Sequence, residues 1–341
     1  MSVGGGSPTV SVVIPTLNAE KYLEECLSAL RGQSYPPDRV EILLVDAGST
    51  DRTREIAKRM GVERVLDNPL RTGEAGKAVG VHAARGDLIL MVDSDNILVG
   101  RDWLERMVVP FSDPAVISSE AIRWHYRRED HFINRYQALT GINDPLALFV
   151  GNYDRFSYLT GRWTDYPHTS EPRDGWERVE LHPNYVPTMG ANGYIVRREA
   201  FDVVPVDDYL FDIDFVFELV QAGRGTIARV DVPIRHYFCD SVARFYRKTR
   251  RRTDDYFYFA AQGRRSYPWT DRQRRGVVRF ALSTILTLPL LVDVVRGFGR
   301  KRDPAWLFHI VACWITLVVY GVGTIRGRLR PRMLDRHGWS Q

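Results

Sequence analysis

Apolar positions along the first third of the chain change period at regular intervals. Residues 9–16 (TVSVVIPT) form a β-branched run of strand length. Residues 19–33 (AEKYLEECLSALRGQ) repeat at helical spacing, with Tyr22, Leu23, Cys26, Leu27 and Leu30 on one face and Asn18 placed to cap them. The alternation continues with strands at 40–49 (VEILLVDAGS), 62–68 (VERVLDN) and 87–93 (DLILMVD), separated by helices at 51–61 and 73–86. Such alternation predicts an α/β fold, a mostly parallel sheet covered on both faces. Ligands of these sheets bind beyond the carboxyl ends of the strands. Pro15, Thr16 and Asn18, then Asp46 to Asp51, then Asp93 to Asn96 therefore share one rim. Neither GxGxxG nor GxxxxGK[ST] follows the first strand, which argues against a dinucleotide oxidoreductase or a P-loop NTPase.

The texture then changes. Residues 123–190 are rich in aromatic, Arg, His and Pro residues with weak periodicity, and read as an elaborated, partly helical segment over the sheet. Regular patterning resumes at 190–204 (GANGYIVRREAFDVV) and 211–223 (FDIDFVFELVQAG). A basic stretch follows at 243–267, with Phe245, Tyr246, Tyr256, Phe257 and Phe259 among its charges, and reads as helix at the level of lipid headgroups. Residues 277–295 and 305–325 are apolar runs about as long as a bilayer-spanning helix, interrupted by Arg279, Pro289, Asp293 and His309. Their connection, RGFGRKRDP, is basic, so the pair reads either as a short spanning hairpin or as a re-entrant or interfacial one with its loop on the cytoplasmic side.

Charge sharpens this division. The net charge is +5, yet from Asp271 onward 13 Lys and Arg face 4 Asp and Glu, so the rest of the chain is acidic. A tail both basic and apolar points to an anionic membrane surface, not to nucleic acid. The opening MSVGGGSP has neither the charged start nor the apolar core of a signal peptide and reads as a flexible leader, residues 1–8. Cys26, Cys239 and Cys313 show no zinc or disulfide spacing, which fits a reducing compartment.

Asp93 and Asp95 end an apolar strand one residue apart. In an extended segment they would project to the same side and repel unless a cation lay between them. Hard divalent ions such as Mg²⁺ and Mn²⁺ take carboxylate oxygens and complete their shell with substrate phosphates. A DxD alone is also a common turn sequence, so its place on the ligand rim carries the weight.

Five blocks in order, VSVVIPTLNAEKYLEECLSAL, EILLVDAGSTDRT, GKAVGVHAARGDLILMVDSDN, GANGYIVRREAF and FDIDFVFELVQAG, resemble family 2 glycosyltransferases of GT-A fold over residues 9–240. The basic segment at 241–270 and the apolar hairpin and tail at 271–341 resemble membrane-attached members that build lipid-linked sugars or polysaccharides. The resemblance implies a nucleotide diphosphate sugar donor, Mg²⁺ or Mn²⁺, inversion at the anomeric carbon, and a catalytic unit on the cytoplasmic side of a membrane. It implies that Pro15, Thr16, Asn18 and Ser94 line the donor pocket, that Asp46 accepts from the base, and that Lys77 lies near the nucleotide or diphosphate. Asp93 and Asp95 take the metal role, with His236 as a further candidate. Asp212 is the general base, with Asp214 as rival because the expected paired acid is Phe211.

Asn192, Arg247, Arg250 and Arg251 fall on the acceptor or lipid side, and Ser49 and Asp51 on the turn after the second strand. Ala47 stands where relatives carry a second acid, and no QxxRW is present. The expected reaction is metal-dependent transfer to a lipid-linked acceptor such as a polyprenyl or dolichyl phosphate. Transfer to a soluble glycan or protein stays open, as do self-association and, further off, sugar nucleotidyl transfer.

Overall fold

The computed structural model describes residues 6–329 and 331; the start of the leader and the remaining basic end of the tail lie outside the described residues. The chain runs β1 (Val10–Thr16), α1 (Leu23–Arg31), β2 (Val40–Asp46), α2 (Thr53–Arg59), β3 (Arg64–Asp67), α3 (Gly73–Ala83), β4 (Leu88–Met91), β5 (Asn96–Leu98), α4 (Trp103–Val108) and β6 (Ser118–Trp124). It continues through α5 (Phe132–Thr140), α6 (Leu146–Val150), β7 (His168–Arg173), β8 (Trp176–Leu181), β9 (Tyr194–Arg197), α7 (Ala200–Val203), α8 (Asp212–Gln221) and β10 (Thr226–His236). Four helices close it: α9 (Val242–Ala261), α10 (Asp271–Leu286), α11 (Leu288–Arg300) and α12 (Phe308–Leu329).

One sheet of ten strands organises the fold, in the order β3-β2-β1-β4-β9-β6-β10-β8-β7, with β5 pairing β10. The block β3-β2-β1-β4 is parallel, as the alternating pattern predicts. Beyond it the sheet is mixed, because β9 runs antiparallel to both β4 and β6. The 123–190 segment does more than lie over the sheet: its β7–β8 hairpin extends the sheet from β10.

Helix α3 reaches β1 unusually closely. A Cβ on Gly80 would lie 2.2 Å from a Val13 methyl carbon, and one on Gly76 would lie 2.9 Å from the Pro15 Cβ. Small residues at these helical positions are what let Lys77 sit at the rim, buried to 6% exposure.

Two expectations change. Asn18 does not cap α1; at φ 51° its Oδ1 accepts from Thr50 N–H at 2.8 Å, which holds the β2–α2 loop against the end of β1. The first apolar run is not one helix: α10 and α11 meet at Thr287 with a 93° bend, so the expected hairpin is three helices. The cause is local, since Pro289 at the start of α11 lacks an N–H to continue α10. Only Pro304–Leu329 is a single helix long and apolar enough to cross a membrane among the described residues.

Its inner face (Ala312, Thr316, Val319, Gly323, Gly327) is buried, and Gly323 and Gly327 leave room for Thr253 and Phe257 of α9. Its outer face exposes Val311, Trp314, Val318, Val322 and Ile325. Exposed apolar side chains also stud α10 and α11, among them Val278, Leu282, Leu286, Leu291 and Val295.

Gly80→Ala is expected to lower the unfolding free energy by about 1–3 kcal/mol through overpacking against Val13. Denaturant unfolding should show part of that loss recovered when Val13→Ala is added.

Candidate functional site

The DSD sequence is not the end of a strand. β4 stops at Met91, and Asp93, Ser94 and Asp95 make a turn into β5. Asn96 holds that turn, its Oδ1 accepting from Asp93 N–H at 3.2 Å and its amide donating to Asp95 Oδ1 at 3.2 Å. The two aspartates therefore do not share the strand face expected of them, and they serve different neighbours.

Asp95 faces β10 and α9. Residues His236 and Asn96 are paired across β10 and β5, which sets His236 Nε2 3.5 Å from Asp95 Oδ1. Lys248 of α9 brings its Nζ to 3.8 Å from the other carboxylate oxygen. Burial alone would raise the Asp95 pKa, but the His236 charge and hydrogen bond, with Lys248, hold it below the usual carboxylate range. The Gln137 side-chain amide lies 2.8 Å from His236 Nδ1 and fixes the ring.

On the other side of the turn, Asp93 acts electrostatically on Lys77 and Asp212. Lys77 Nζ donates to Asp212 Oδ2 at 2.5 Å. Lys77 therefore meets the expected base directly. Asp212 Oδ1 is buried and has no hydrogen-bond partner among the described residues. Burial pushes the Asp212 pKa up to about 6, with Lys77 opposing and Asp93 and Glu74 adding to the rise.

The rival carboxylate is committed elsewhere. Asp214 accepts from Arg265 at 2.6 Å, from Ser266 N–H at 2.7 Å and from Tyr267 N–H at 2.9 Å, tying α8 to the chain that leaves α9. On a helix the two side chains diverge, so one faces the rim and the other anchors it.

Asp212 is set from behind by the Gly190–Gly193 loop. Gly190 has φ 112°, and a Cβ there would lie 2.9 Å from the Asp212 carbonyl oxygen, so loop and helix start are in contact. A buried charge cluster holds the loop: Gly190 N–H donates to Glu120 Oε1 at 3.2 Å, and Arg155 donates to the carbonyls of Ala191 and Asn192 at 3.1 and 3.2 Å. Glu120 also pairs with Arg155 and Arg229, and Asp154 with Arg155. Asn192, at φ 56°, leaves a buried Oδ1 without a partner on this loop.

Other expected residues are placed less directly. Asp46 is fully buried and accepts from Thr16, from Ser49 Oγ and N–H, and from Arg54 at 2.7 Å, so a base contact would require one of these to yield. Ser49 and Asp51 hold the turn as expected, Asp51 accepting from Thr53 and Glu20. Pro15 packs beneath Gly76, and Ser94 is buried in the turn.

One side of the basic helix packs against the protein. Phe245, Thr249 and Thr253 of α9 are buried, and Lys248 of the same helix brings a cation to Asp95. Arg247 is exposed, and Arg250 lies 3.6 Å from Asp254.

Sequence reading missed Lys248, Gln137 and the Glu120–Arg155–Arg229 cluster. The cluster had a signal, a charge inside each of the strands SSEAIRW and TIARVDV. No His, Cys, Asp and Glu group of three suited to a metal occurs among the described residues. The residues that could hold a cation here are Asp95 and His236, two donors that would leave the rest of its shell to phosphate oxygens and water.

Residues 11–178 match the family model described as glycosyl transferase family 2. A dolichyl N-acetyl-alpha-D-glucosaminyl phosphate 3-beta-D-2,3-diacetamido-2,3-dideoxy-beta-D-glucuronosyltransferase of Methanococcus voltae is 35% identical, over 94% of this chain and 97% of its own. Glycosyltransferase AglE of Haloferax volcanii is 29% identical over 40% of this chain; the match spans 46% of that relative, under half its length. Among solved structures, the mannosyltransferase PcManGT from Pyrobaculum calidifontis in complex with GDP-Man and Mn²⁺ superposes with a TM-score of 0.52 at 16% identity, over 93% of this chain and 87% of its own. That likeness is one of fold.

Asp214→Asn is expected to cost about 1–3 kcal/mol of stability in chemical denaturation, because it weakens three bonds to a buried carboxylate. Asp212→Asn, whose Oδ1 is unpartnered, should cost less than Asp214→Asn.

Proposed function

The chain belongs to glycosyl transferase family 2, and from that membership we propose that it is an inverting enzyme that moves a sugar from a nucleotide diphosphate donor to a lipid-linked acceptor at a membrane surface. Glycosyltransferase activity follows from the family; donor, cation and acceptor are the proposal. The observation that carries it is the Asp212 carboxylate, held through Oδ2 by Lys77 and carrying a buried, unpartnered Oδ1.

In this reading Oδ1 accepts the proton of the acceptor hydroxyl as that oxygen attacks the anomeric carbon from the face opposite the leaving group. Lys77 keeps the carboxylate oriented, and the Asn192 amide oxygen, also unpartnered, accepts from a sugar hydroxyl. Asp95 and His236 would hold Mg²⁺ or Mn²⁺, which when bound offsets negative charge on the diphosphate. Asp93 and Ser94 border the donor, and Pro15, Thr16 and Asn18 line its nucleotide end.

Two observations favour a lipid-linked acceptor over a soluble glycan or protein. A relative aligned over nearly the whole chain is named for a dolichyl phosphate-linked substrate. The outer faces of α10, α11 and α12 expose apolar side chains that water solvates poorly, Leu282 and Leu286 at 56% and 68% among them. With α12 packed along α9 on one side, these helices fit a bilayer surface by one face, with the sheet on the cytoplasmic side.

A donor screen by release of nucleoside diphosphate, run with Mg²⁺ or Mn²⁺ and with or without a lipid extract containing prenyl-phosphate-linked sugars, tests the reading. Turnover that requires the extract is expected; equal turnover on a soluble acceptor would overturn the lipid assignment. Asp212→Asn should retain donor binding and lose about 10²–10⁴-fold in turnover. Because the base works ionised, kcat should fall as pH drops through about 6. Lys77→Met removes the group that favours the carboxylate and should move that limb to higher pH.

A further inference from the structure

A second concentration of charge lies away from the rim. Where the first turns of α10 meet the end of α6, a cavity of about 310 Å³ is lined by Arg162, Arg272, Arg275, Arg279, Asp165 and the Phe149–Gly151 backbone. None of these residues belongs to the site described above. The close approach is made by Gly276, where a Cβ would lie 2.7 Å from the Val150 Cα. Helical spacing then turns Arg272, Arg275 and Arg279 toward one side.

Asp165 is the one carboxylate in the lining, and Arg162 takes it at 2.6 Å. Arg272, beside the rings of Tyr166 and Tyr185, donates to the Asp165 carbonyl at 2.9 Å, and Arg279 donates to the Phe149 carbonyl. Arg275 has no hydrogen bond or ion pair among the described residues. Each guanidinium stays charged and carries five donors. Four like charges around one carboxylate repel, and most of their donors are open. The arrangement calls for an anion with several acceptor oxygens, which is the chemistry of phosphate.

The same side of α10 continues past the arginines as Leu282 and Leu286, with Val278 beside them, all exposed. A ligand held at the arginines would meet an apolar track leading away. We propose that this cavity binds the phosphate of an anionic membrane lipid, its head among Arg272, Arg275 and Arg279 and its chains along Val278, Leu282 and Leu286. The inference rests on the membrane-docking part of the proposed function and needs nothing from the transfer reaction. It gives the docked helices a fixed point, where apolar contact alone would leave them free to slide.

Arg275→Gln removes an unpaired cation and leaves the fold's own bonds intact. Arg274→Gln, its exposed neighbour outside the lining, removes the same charge and serves as control. Binding of the full chain is measured on vesicles of phosphatidylcholine alone and of phosphatidylcholine with phosphatidylglycerol, and thermal stability in neutral detergent is measured with and without phosphatidylglycerol. Phosphatidylglycerol should strengthen vesicle binding and raise Tm, and Arg275→Gln should weaken the added binding by about tenfold while Arg274→Gln keeps most of it. Equal loss in both variants would mean diffuse electrostatics and overturn the site. Stabilisation by inorganic phosphate that Arg275→Gln abolishes, with no effect of phosphatidylglycerol, would overturn the lipid assignment in favour of a free anion. If the chain ignores phosphatidylcholine vesicles yet keeps an Arg275-dependent response to phosphatidylglycerol in detergent, docking fails and the cavity stands.

Discussion

Everything at the candidate site depends on compensating carboxylates that the fold concentrates at one rim of the sheet. Asp93, Asp95 and Asp212 come from two distant segments, and each burial raises the cost of its charge. Their partners arrive on three further elements: Lys77 on α3, His236 on β10 and Lys248 on α9. Removing any of those elements would leave a carboxylate facing others with less to offset it. The close approach of α3 to β1, the β5–β10 register and the packing of α9 are thus as much part of the site as the aspartates.

The compensation is uneven in a way that bears on chemistry. Asp95 is held below the ordinary carboxylate range by His236 and Lys248, which keeps it ionised, as the metal role proposed for it requires. Asp212, with Lys77 on one oxygen only, is pushed up to about 6, where a carboxylate is a usable base near neutral pH. Two carboxylates on one rim are thereby driven apart in basicity, as acid–base sites require. Behind them, Glu120, Arg155 and Arg229 fix the loop that abuts Asp212.

Much of this was legible in the chain. The parallel block from Val10 to Met91 and the rim it creates follow from periodicity, whereas the proposal of Asp212 as base rests on the blocks that resemble the family. What the sequence left hidden is tertiary. Asn18 lost its role as a cap because the loop at Thr50 competes for the same side chain. The DSD segment left the strand because Asn96 folds it into a turn, and nothing in the pattern distinguishes those outcomes. His236 lies far from Asp95 in sequence, and only the register of two antiparallel strands brings them together. The arginines dominate the composition of the basic helix and hide the spacing of Phe245, Thr249 and Thr253, one turn apart, that buries one side of it. The apolar hairpin read as two helices because hydropathy does not register the 93° bend at Thr287.

The proposed role of the rim's carboxylates is to take a cation together with a nucleotide diphosphate. Calorimetric titration of the full chain with nucleoside diphosphate, with Mn²⁺ and with chelator, tests it most directly. Mn²⁺ is expected to tighten binding by about tenfold or more, and Asp95→Asn to remove the gain. Equal affinity with and without Mn²⁺, or a gain that survives Asp95→Asn, would contradict it.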